Sequence, residues 1–293
     1  RSAKEGWASH PRQNNPVQMM ILFWNFQVHG NAPMVKALRH LIMTNNTFLI
    51  ALAEPNMTFD KWVSFKWENL GYLFVSQNMS DSEAGSLWIF KHDSINLISC
   101  IRNQQVVSVA VGSQGFTITC SFVYESNLYI KRKELWRDFE TISAQVPHSW
   151  VAMGDFNTVL WPEEKAGTHF NRLSATDFSS CIDSCHLNEV PIVGAQFTWS
   201  RYTLNGCQAS KLYRCFVKID DRYDAIAVSG LTLPKCHFDH SPILVDVCTS
   251  QQRSSPLPFR FNNARLVTPG CREVISNAWL MAAIGIPLAI LAS

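Results

Sequence analysis

Residues 151–160 read VAMGDFNTVL. The apolar half of this stretch predicts a buried strand, yet the strand runs into Asp155 and Asn157. Both residue types are poor strand formers and are costly to bury without a partner. Taken alone, a Gly-Asp pair at the end of a strand is explained by turn chemistry. Reaction chemistry is the alternative, and the rest of the chain decides between the two.

The composition predicts a folded globular protein without a global attraction to nucleic acid. The chain has 293 residues, of which 47% are hydrophobic and 16% charged, with a net charge of +2. Binding to a polyanion therefore requires a local basic patch. The nine cysteines include no C-x-x-C pair, and the Cys181/Cys185 spacing has no second pair of ligands for zinc. We therefore expect reduced thiols in an intracellular protein.

Neither end of the chain carries a pattern that predicts secretion or a membrane span. Residues 1–17 are polar and lack the apolar core of a signal peptide, so we expect a disordered leader. The apolar run 278–293 is shorter than the roughly 20 residues that span a bilayer, and Pro287 interrupts it. Residues 249–258 are rich in Ser, Gln and Pro and predict a linker.

Strand-like runs outnumber helical segments along the chain. Helical spacing of apolar residues marks three segments: one around Leu38, one after Ser126, and one that we expect Ser174 to cap. The basic residues 131–133 are expected to lie on the solvated face of the second helix. The runs that predict strands are residues 19–24, 47–54, 72–76, 86–90, 95–99, 106–112, 116–124, 149–155, 196–200, 211–217 and 241–247. This pattern predicts an α/β sandwich of two facing mixed sheets with helices outside.

Polar residues recur where the predicted strands end. If the edges of two facing sheets meet, these tips converge on one cleft that suits metal-assisted phosphoester chemistry, because a phosphodiester needs positive charge and hydrogen-bond donors in its transition state. The candidate roles are metal ligand (Glu54, Asp239), base for the attacking water (Asp155), donor to a phosphate oxygen (His240) and orienting amide (Asn25, Asn157).

Each of these residues also has a plainer explanation. Asn25 can be a turn residue, Glu54 a solvated strand exit, Tyr124 a packing residue and His240 an ordinary surface or core histidine. Their joint occurrence at strand ends is what favours a functional cleft.

The order of the motifs resembles the endonuclease/exonuclease/phosphatase family, and more narrowly the endonuclease domain of plant non-LTR, or LINE-type, retrotransposons. The narrower resemblance depends on longer phrases, GDFNTVLWPEEKAG at 154–167, SKLYRCFV at 210–217 and PFRFNN at 258–263. The motifs are WN at 24–25, Glu at 54, VYxSN at 123–127, GDFN at 154–157, FTW at 197–199 and DHSPIL at 239–244.

The resemblance implies a four-layer α/β/β/α sandwich of the DNase I-like kind, and hydrolysis of phosphodiester bonds with Mg²⁺ or, in its place, Mn²⁺. It implies that Asp155 activates water, that Asn157 positions the phosphate, and that His240 stabilises the transition state. Glu54 and Asp239 would serve the metal. By the same resemblance, Asn25, Tyr124 and Asn127 line the phosphate site, while Thr198 and Trp199 shape the substrate cleft.

The resemblance also implies the chain's organisation and partners. Residues 18–248 would form a monomeric endonuclease domain that nicks DNA, and no membrane is involved. Residues 259–293 would begin a truncated connector toward a reverse transcriptase that this chain lacks. The expected location is intracellular, in the nucleus.

One departure bears on activity. Where the family carries an Asp that pairs with the catalytic His, this chain has Tyr213. Because a carboxylate raises the pKa of an imidazole and orients it, we expect His240 to be protonated less often and the nuclease to be weakened. The alternatives are a decayed, non-catalytic remnant that at most binds nucleic acid, and a small-molecule phosphatase or phosphodiesterase on the same fold.

Overall fold

The computed structural model describes residues 17–26, 32–56, 59–63, 66–79, 86–113, 116–126, 128–204, 206–219, 226–235, 239–249 and Glu273. Contacts divide the chain into one unit ending at Gln252 and a second beginning at Arg253. The strands and helices below all belong to the first unit. In the described residues, no helix is both long and apolar enough to cross a bilayer.

Sixteen strands and four α-helices are found in the described residues. The helices are α1 (Ala32–Asn45), α2 (Phe59–Val63), α3 (Tyr129–Gln145) and α4 (Arg172–Ser184). The strands are β1 (Gln18–Asn25), β2 (Thr47–Ala53), β3 (Tyr72–Gln77), β4 (Leu87–His92), β5 (Asn96–Arg102), β6 (Val106–Ser113), β7 (Phe116–Tyr124), β8 (Trp150–Asp155), β9 (Lys165–Ala166), β10 (Asn188–Glu189), β11 (Ile192–Val193), β12 (Trp199–Thr203), β13 (Gly206–Ser210), β14 (Tyr213–Lys218), β15 (Ile226–Thr232) and β16 (Ile243–Thr249).

Two mixed sheets form the centre of the fold. The first has the order β11-β15-β16-β1-β2-β4-β3, and the second has the order β10-β14-β8-β7-β6-β5. Strands β12, β13 and β9 form a separate, small third sheet in the order β12-β13-β9. Strands β1 and β2 run parallel, as do β7 and β8, while β16 and β14 are antiparallel to β1 and β8. The carboxyl ends of β1, β2, β7 and β8 therefore meet the beginnings of β14 and β16.

The alternation of side chains explains the four layers. Along β1, Ile21 and Phe23 face the second sheet, while Leu22 and Trp24 face the core that contains α1 residues. On the other side, α3 and α4 cover the second sheet through Phe139, Phe178 and their neighbours. Both faces of each central strand are thus buried, which is why these strands are continuous apolar runs in the sequence. The predicted α/β/β/α sandwich is confirmed.

Two local predictions were wrong. Helix α4 begins at Arg172, and its cap is Asn171, whose side chain accepts a hydrogen bond from the Ser174 backbone N–H at 3.1 Å. Ser174 lies inside the helix and bonds Thr158 instead, at 2.8 Å. Arg132 was expected on a solvated helix face, but it is only 8% exposed, because it occupies the core stripe of α3.

Candidate active site

Glu54, which follows β2, is hydrogen-bonded to residues at the ends of two other strands. This residue has a left-handed backbone, with φ of 47°. Its Oε1 accepts a hydrogen bond from Asn25 Nδ2 at 2.8 Å and one from the Tyr124 hydroxyl at 2.6 Å. Asn25 ends β1 and Tyr124 ends β7, so the contact joins the two large sheets. A non-glycine residue in this backbone region carries strain, and such strain clusters at functional sites.

Asp155 ends β8 and is 1% exposed. Its Oδ1 accepts a hydrogen bond from the Asn157 backbone N–H at 3.1 Å. Burial raises the pKa of Asp155 from 3.8 to about 7; the hydrogen bonds from Asn157 and the Asn25 side chain oppose this rise, and the charges of Glu54 and Asp239 add to it. A carboxylate that takes up a proton near neutral pH is suited to act as a general base.

The backbone at the end of β8 requires the residues found there. Gly154 has a φ of 149°, and a Cβ at this position would lie 2.2 Å from the Val123 carbonyl oxygen on β7. Asn157 is left-handed, with φ of 43°. Its Nδ2 donates to the Glu125 carbonyl oxygen at 2.7 Å, and its own carbonyl accepts from Arg132 Nη1 at 3.1 Å. These contacts fix the turn to the end of β7.

Arg132 and Glu125 form a buried ion pair under this turn. Arg132 Nε lies 3.1 Å from Glu125 Oε1, and the glutamate side chain is fully buried. Burial raises the pKa of Glu125 well above its usual value, and the Arg132 charge opposes that rise. Sequence reasoning missed this pair, although a signal existed: Arg132 falls in register with the apolar stripe Leu135, Phe139 and Ile142.

Tyr213 is the partner of His240. Its hydroxyl lies 2.6 Å from His240 Nδ1 and accepts a hydrogen bond from the Asn25 backbone N–H at 3.2 Å. The two rings stack at a centroid distance of 5.4 Å. Burial raises the pKa of Tyr213 well above 10, so the phenol keeps its proton. With Asn25 already donating to the oxygen, that proton is available for His240 Nδ1, which leaves the ring hydrogen on Nε2.

The pKa of His240 is lowered from 6.5 to about 4. Burial is the largest cause, and the charges of Asp239 and Glu54 oppose it. The direction agrees with the expectation drawn from Tyr213, but the dominant cause is loss of solvent. Asp155 Oδ2 lies 3.9 Å from His240 Nδ1, so the candidate base and the imidazole share one cleft.

Asp239, Trp199 and Thr198 occupy the other side of the imidazole. Trp199 Nε1 donates to Asp239 Oδ2 at 2.9 Å, and Asp239 Oδ1 lies 3.8 Å from His240 Nε2. Thr198 is 1% exposed, and its Oγ1 accepts from the backbone N–H groups of Leu212 and Tyr213, each at 2.9 Å. Thr198 therefore holds the start of β14, while the half-buried Trp199 is available to the cleft. Asn127 lies outside the described residues.

The donor set fits a divalent cation better than it fits a soft metal. In the described part of the chain, no group of three or more His, Cys, Asp and Glu side chains is close enough to hold a metal ion. However, Asn25 Oδ1 and Asp239 Oδ1 are buried oxygens that accept no hydrogen bond from described residues. Magnesium is bound by one or two carboxylates and retains waters, and these oxygens with Glu54 supply that type of ligand.

Comparison with solved structures shows the fold. The endonuclease domain of TRAS1, a telomere-specific non-LTR retrotransposon, has a TM-score of 0.61 and 13% identity over 80% of this chain and 100% of that one. The AP endonuclease LMAP from Leishmania major has a TM-score of 0.57 and 13% identity over 80% and 88%. TDP2 from D. rerio, in complex with a single-strand DNA product, has a TM-score of 0.56 and 13% identity over 78% and 98%.

No protein-family model and no curated protein matches the sequence. Identities near 13% show the fold alone, and that fold is shared with an endonuclease/exonuclease/phosphatase family protein from Bacteroides thetaiotaomicron. The resemblance stated from the motifs is thus confirmed for the fold, and the plant retrotransposon detail stays a prediction.

Proposed function

We propose that this chain is a metal-dependent phosphodiesterase of retrotransposon origin that nicks DNA, with Mg²⁺ or Mn²⁺ as its cofactor. The observation that carries the proposal is the meeting of Asp155, Glu54 and His240 in one cleft at the strand ends. The likeness to the TRAS1 endonuclease domain, together with the GDFN and DHSPIL motifs, supports DNA as the substrate.

Each side chain has a role in this mechanism. Glu54, Asp239 and the side-chain oxygen Oδ1 of Asn25 would hold the cation, which would supply positive charge against the phosphate oxygens. Asp155 accepts a proton from the attacking water. His240 is a neutral imidazole, and its Nε2–H group donates a hydrogen bond to a phosphate oxygen. Asn157 positions the phosphate through the amide hydrogen that Glu125 does not use.

Tyr213 makes this a weakened nuclease. A neutral donor contributes about 0.5–1.5 kcal/mol, whereas a charged donor contributes about 1.5–3 kcal/mol. The difference of roughly 1.4 kcal/mol corresponds to about a tenfold lower rate. Tyr213→Asp is expected to raise nicking because the carboxylate restores a charge-assisted bond to His240; unchanged or lower activity would contradict this reasoning. Because Tyr213 stands where the family has an Asp, it also supports a second candidate function. In that case the protein is a non-catalytic remnant that binds nucleic acid.

The remaining assignments follow from the same resemblance. Residues 18–248 form the monomeric endonuclease domain, 249–258 a linker, and 259–293 the connector toward a reverse transcriptase in a longer protein. The protein would act in the nucleus, where its target DNA lies.

The test is nicking of supercoiled plasmid with Mg²⁺, with Mn²⁺ and with EDTA. We expect open-circular product with either metal and none with EDTA or in Asp155→Ala. Nicking that persists both in EDTA and in Asp155→Ala indicates a contaminating nuclease. DNA binding without nicking supports the non-catalytic remnant. An inositol phosphate or lipid substrate cleaved in preference to duplex DNA would replace the DNA assignment by a small-molecule one.

A further inference from the structure

Lys165 lies on the same face of a sheet as His240. In the small sheet, Lys165 pairs with Ser210, and Ser210 pairs with Trp199. Trp199 in turn forms an isolated antiparallel bridge with His240. Residues directly opposite one another in antiparallel strands project to the same side. The row therefore runs from the imidazole, past Trp199, to the Lys165 side chain.

The residues adjacent to this row along each strand project from the opposite face of the small sheet. Their position agrees with the direction inferred for Lys165. Ala166, Ala209 and Ser200 line an open cavity of about 560 Å³ on the opposite face of the small sheet. Because side chains alternate along a strand, Lys165 points away from that cavity. Its side is the one to which the paired residues Trp199 and His240 project.

Among the residues that the structure describes, no anion lies within ion-pair distance of the Lys165 ammonium. It is half-buried and forms no hydrogen bond or ion pair with any residue that the structure describes. Burial and the neighbouring Arg132 charge lower its pKa. The contrast is Lys211, whose ammonium lies 2.8 Å from Glu189 and 3.6 Å from Glu164. Arg132 has its own anion in Glu125, whereas the Lys165 ammonium has no such partner among the described residues and is available to an anion from outside the chain.

We propose that Lys165 binds a backbone phosphate of the DNA strand, outside the scissile position. The inference depends on the proposed function, since it takes the substrate to be DNA. Three strand spacings separate Lys165 from His240, or about 14 Å between their Cα atoms at 4.7–4.9 Å per step. One strand of DNA carries a phosphate about every 3.4 Å along its axis. The contact therefore falls within about four nucleotides of the scissile bond.

The experiment measures binding in EDTA, where no cleavage occurs. The dissociation constant of a labelled DNA duplex is followed by fluorescence anisotropy from 50 to 300 mM salt. One phosphate contact contributes about 0.9 to the slope of log K against log salt. Lys165→Gln is therefore expected to reduce that slope by about 0.9 and to weaken binding about eightfold at 0.1 M salt.

Two variants serve as controls. Lys165→Arg keeps the charge and is expected to keep the slope. Lys36→Gln removes the same charge from the exposed side of α1 and is expected to leave the slope unchanged. A second measurement places a neutral methylphosphonate at each position near the nick; one position should weaken binding of the parent protein and have no further effect in Lys165→Gln.

The outcomes separate this inference from the proposed function. If the slope falls in Lys165→Gln but the parent protein does not nick DNA, the phosphate contact stands and the enzyme assignment fails. If the protein nicks DNA and the slope is the same in Lys165→Gln and Lys36→Gln, the contact is wrong and the enzyme assignment stands. Absence of any DNA binding overturns the contact as well.

Discussion

Removal of one hydroxyl from Tyr213 tests the hydrogen-bond arrangement around His240. Tyr213→Phe leaves the Asn25 backbone N–H without the acceptor it has at 3.2 Å, and it leaves His240 Nδ1 without the partner at 2.6 Å. Tyr213 is completely buried, and His240 is 5% exposed, so water does not readily replace the lost group. The aromatic ring, and with it the packing against Phe23, stays.

The expected cost follows from two unsatisfied buried groups. Each costs about 1–3 kcal/mol, so Tyr213→Phe should lower the free energy of unfolding by about 2–6 kcal/mol. For a domain of this size, that corresponds to a fall of about 4–24 °C in the melting temperature. Nicking should fall by about tenfold or more, because loss of the group that orients a functional imidazole commonly has this effect.

Tyr72 is the matched control. It is also buried, and its hydroxyl donates to the Thr47 carbonyl oxygen at 2.6 Å and contacts Thr47 Oγ1 at 2.9 Å. Tyr72→Phe should therefore lower stability to a similar extent, with no change in nicking below the melting temperature. Urea unfolding followed by circular dichroism, and plasmid nicking at 25 °C, measure the two effects. A loss below about 0.5 kcal/mol in Tyr213→Phe, or equal nicking by both variants, would refute the arrangement.

Three further predictions concern the end of β8 and the ion pair beneath the turn that follows it. Gly154→Ala should lower the free energy of unfolding by more than about 3 kcal/mol, because its Cβ would meet the Val123 carbonyl at 2.2 Å; thermal denaturation measures this, and native-like stability would contradict it. Arg132→Met should cost about 3–5 kcal/mol by leaving Glu125 as an unpaired buried acid, and Glu125→Gln in the same chain should recover part of that loss in urea titrations. Asp155→Asn should change the pH dependence of stability in EDTA: since the folded pKa is about 7 and the usual value 3.8, the native state binds the extra proton, and the parent protein loses about 4 kcal/mol as pH rises from about 4 to about 7. The variant should lack that loss, and parallel curves for the two proteins would show that the carboxylate is solvated.

Apolar runs predicted most of the sandwich because its central strands are buried on both faces. The strand at 149–155 is one example, since β8 contacts the facing sheet on one side and α3 and α4 on the other. Strand β15 was missed because Ser229 and Gly230 interrupt its apolar pattern. Strand β13, GCQAS, has only two small apolar residues, Cys207 and Ala209, in alternation. That is too weak a pattern to indicate a strand, and its pairing with β12 and β9 depends on backbone groups.

The site was harder to predict than the fold because its contacts join distant parts of the chain. Polar residues at strand ends are visible in the sequence, and the ends of parallel strands meet at one edge, so a shared cleft could be predicted. The partner of His240 could be named, but the direction of its hydrogen bond depends on the Asn25 backbone N–H, 188 residues from Tyr213. The placement of Lys165 depends on three pairings in series, and no local pattern encodes that register.

The free-energy cost of burying and straining residues 154–157 argues against turn chemistry alone. A turn can be made at the surface from Asn and Gly without burying a charge. This chain instead buries Asp155 until its pKa rises to about 7, and it holds Asn157 and Glu54 in left-handed backbone, at about 1–3 kcal/mol for each strained residue. These costs gather in one cleft, and each would be relieved by an ordinary substitution. The proposed function gives these costs a purpose, because a general base beside a phosphate, the role we propose for Asp155, requires that burial and that geometry.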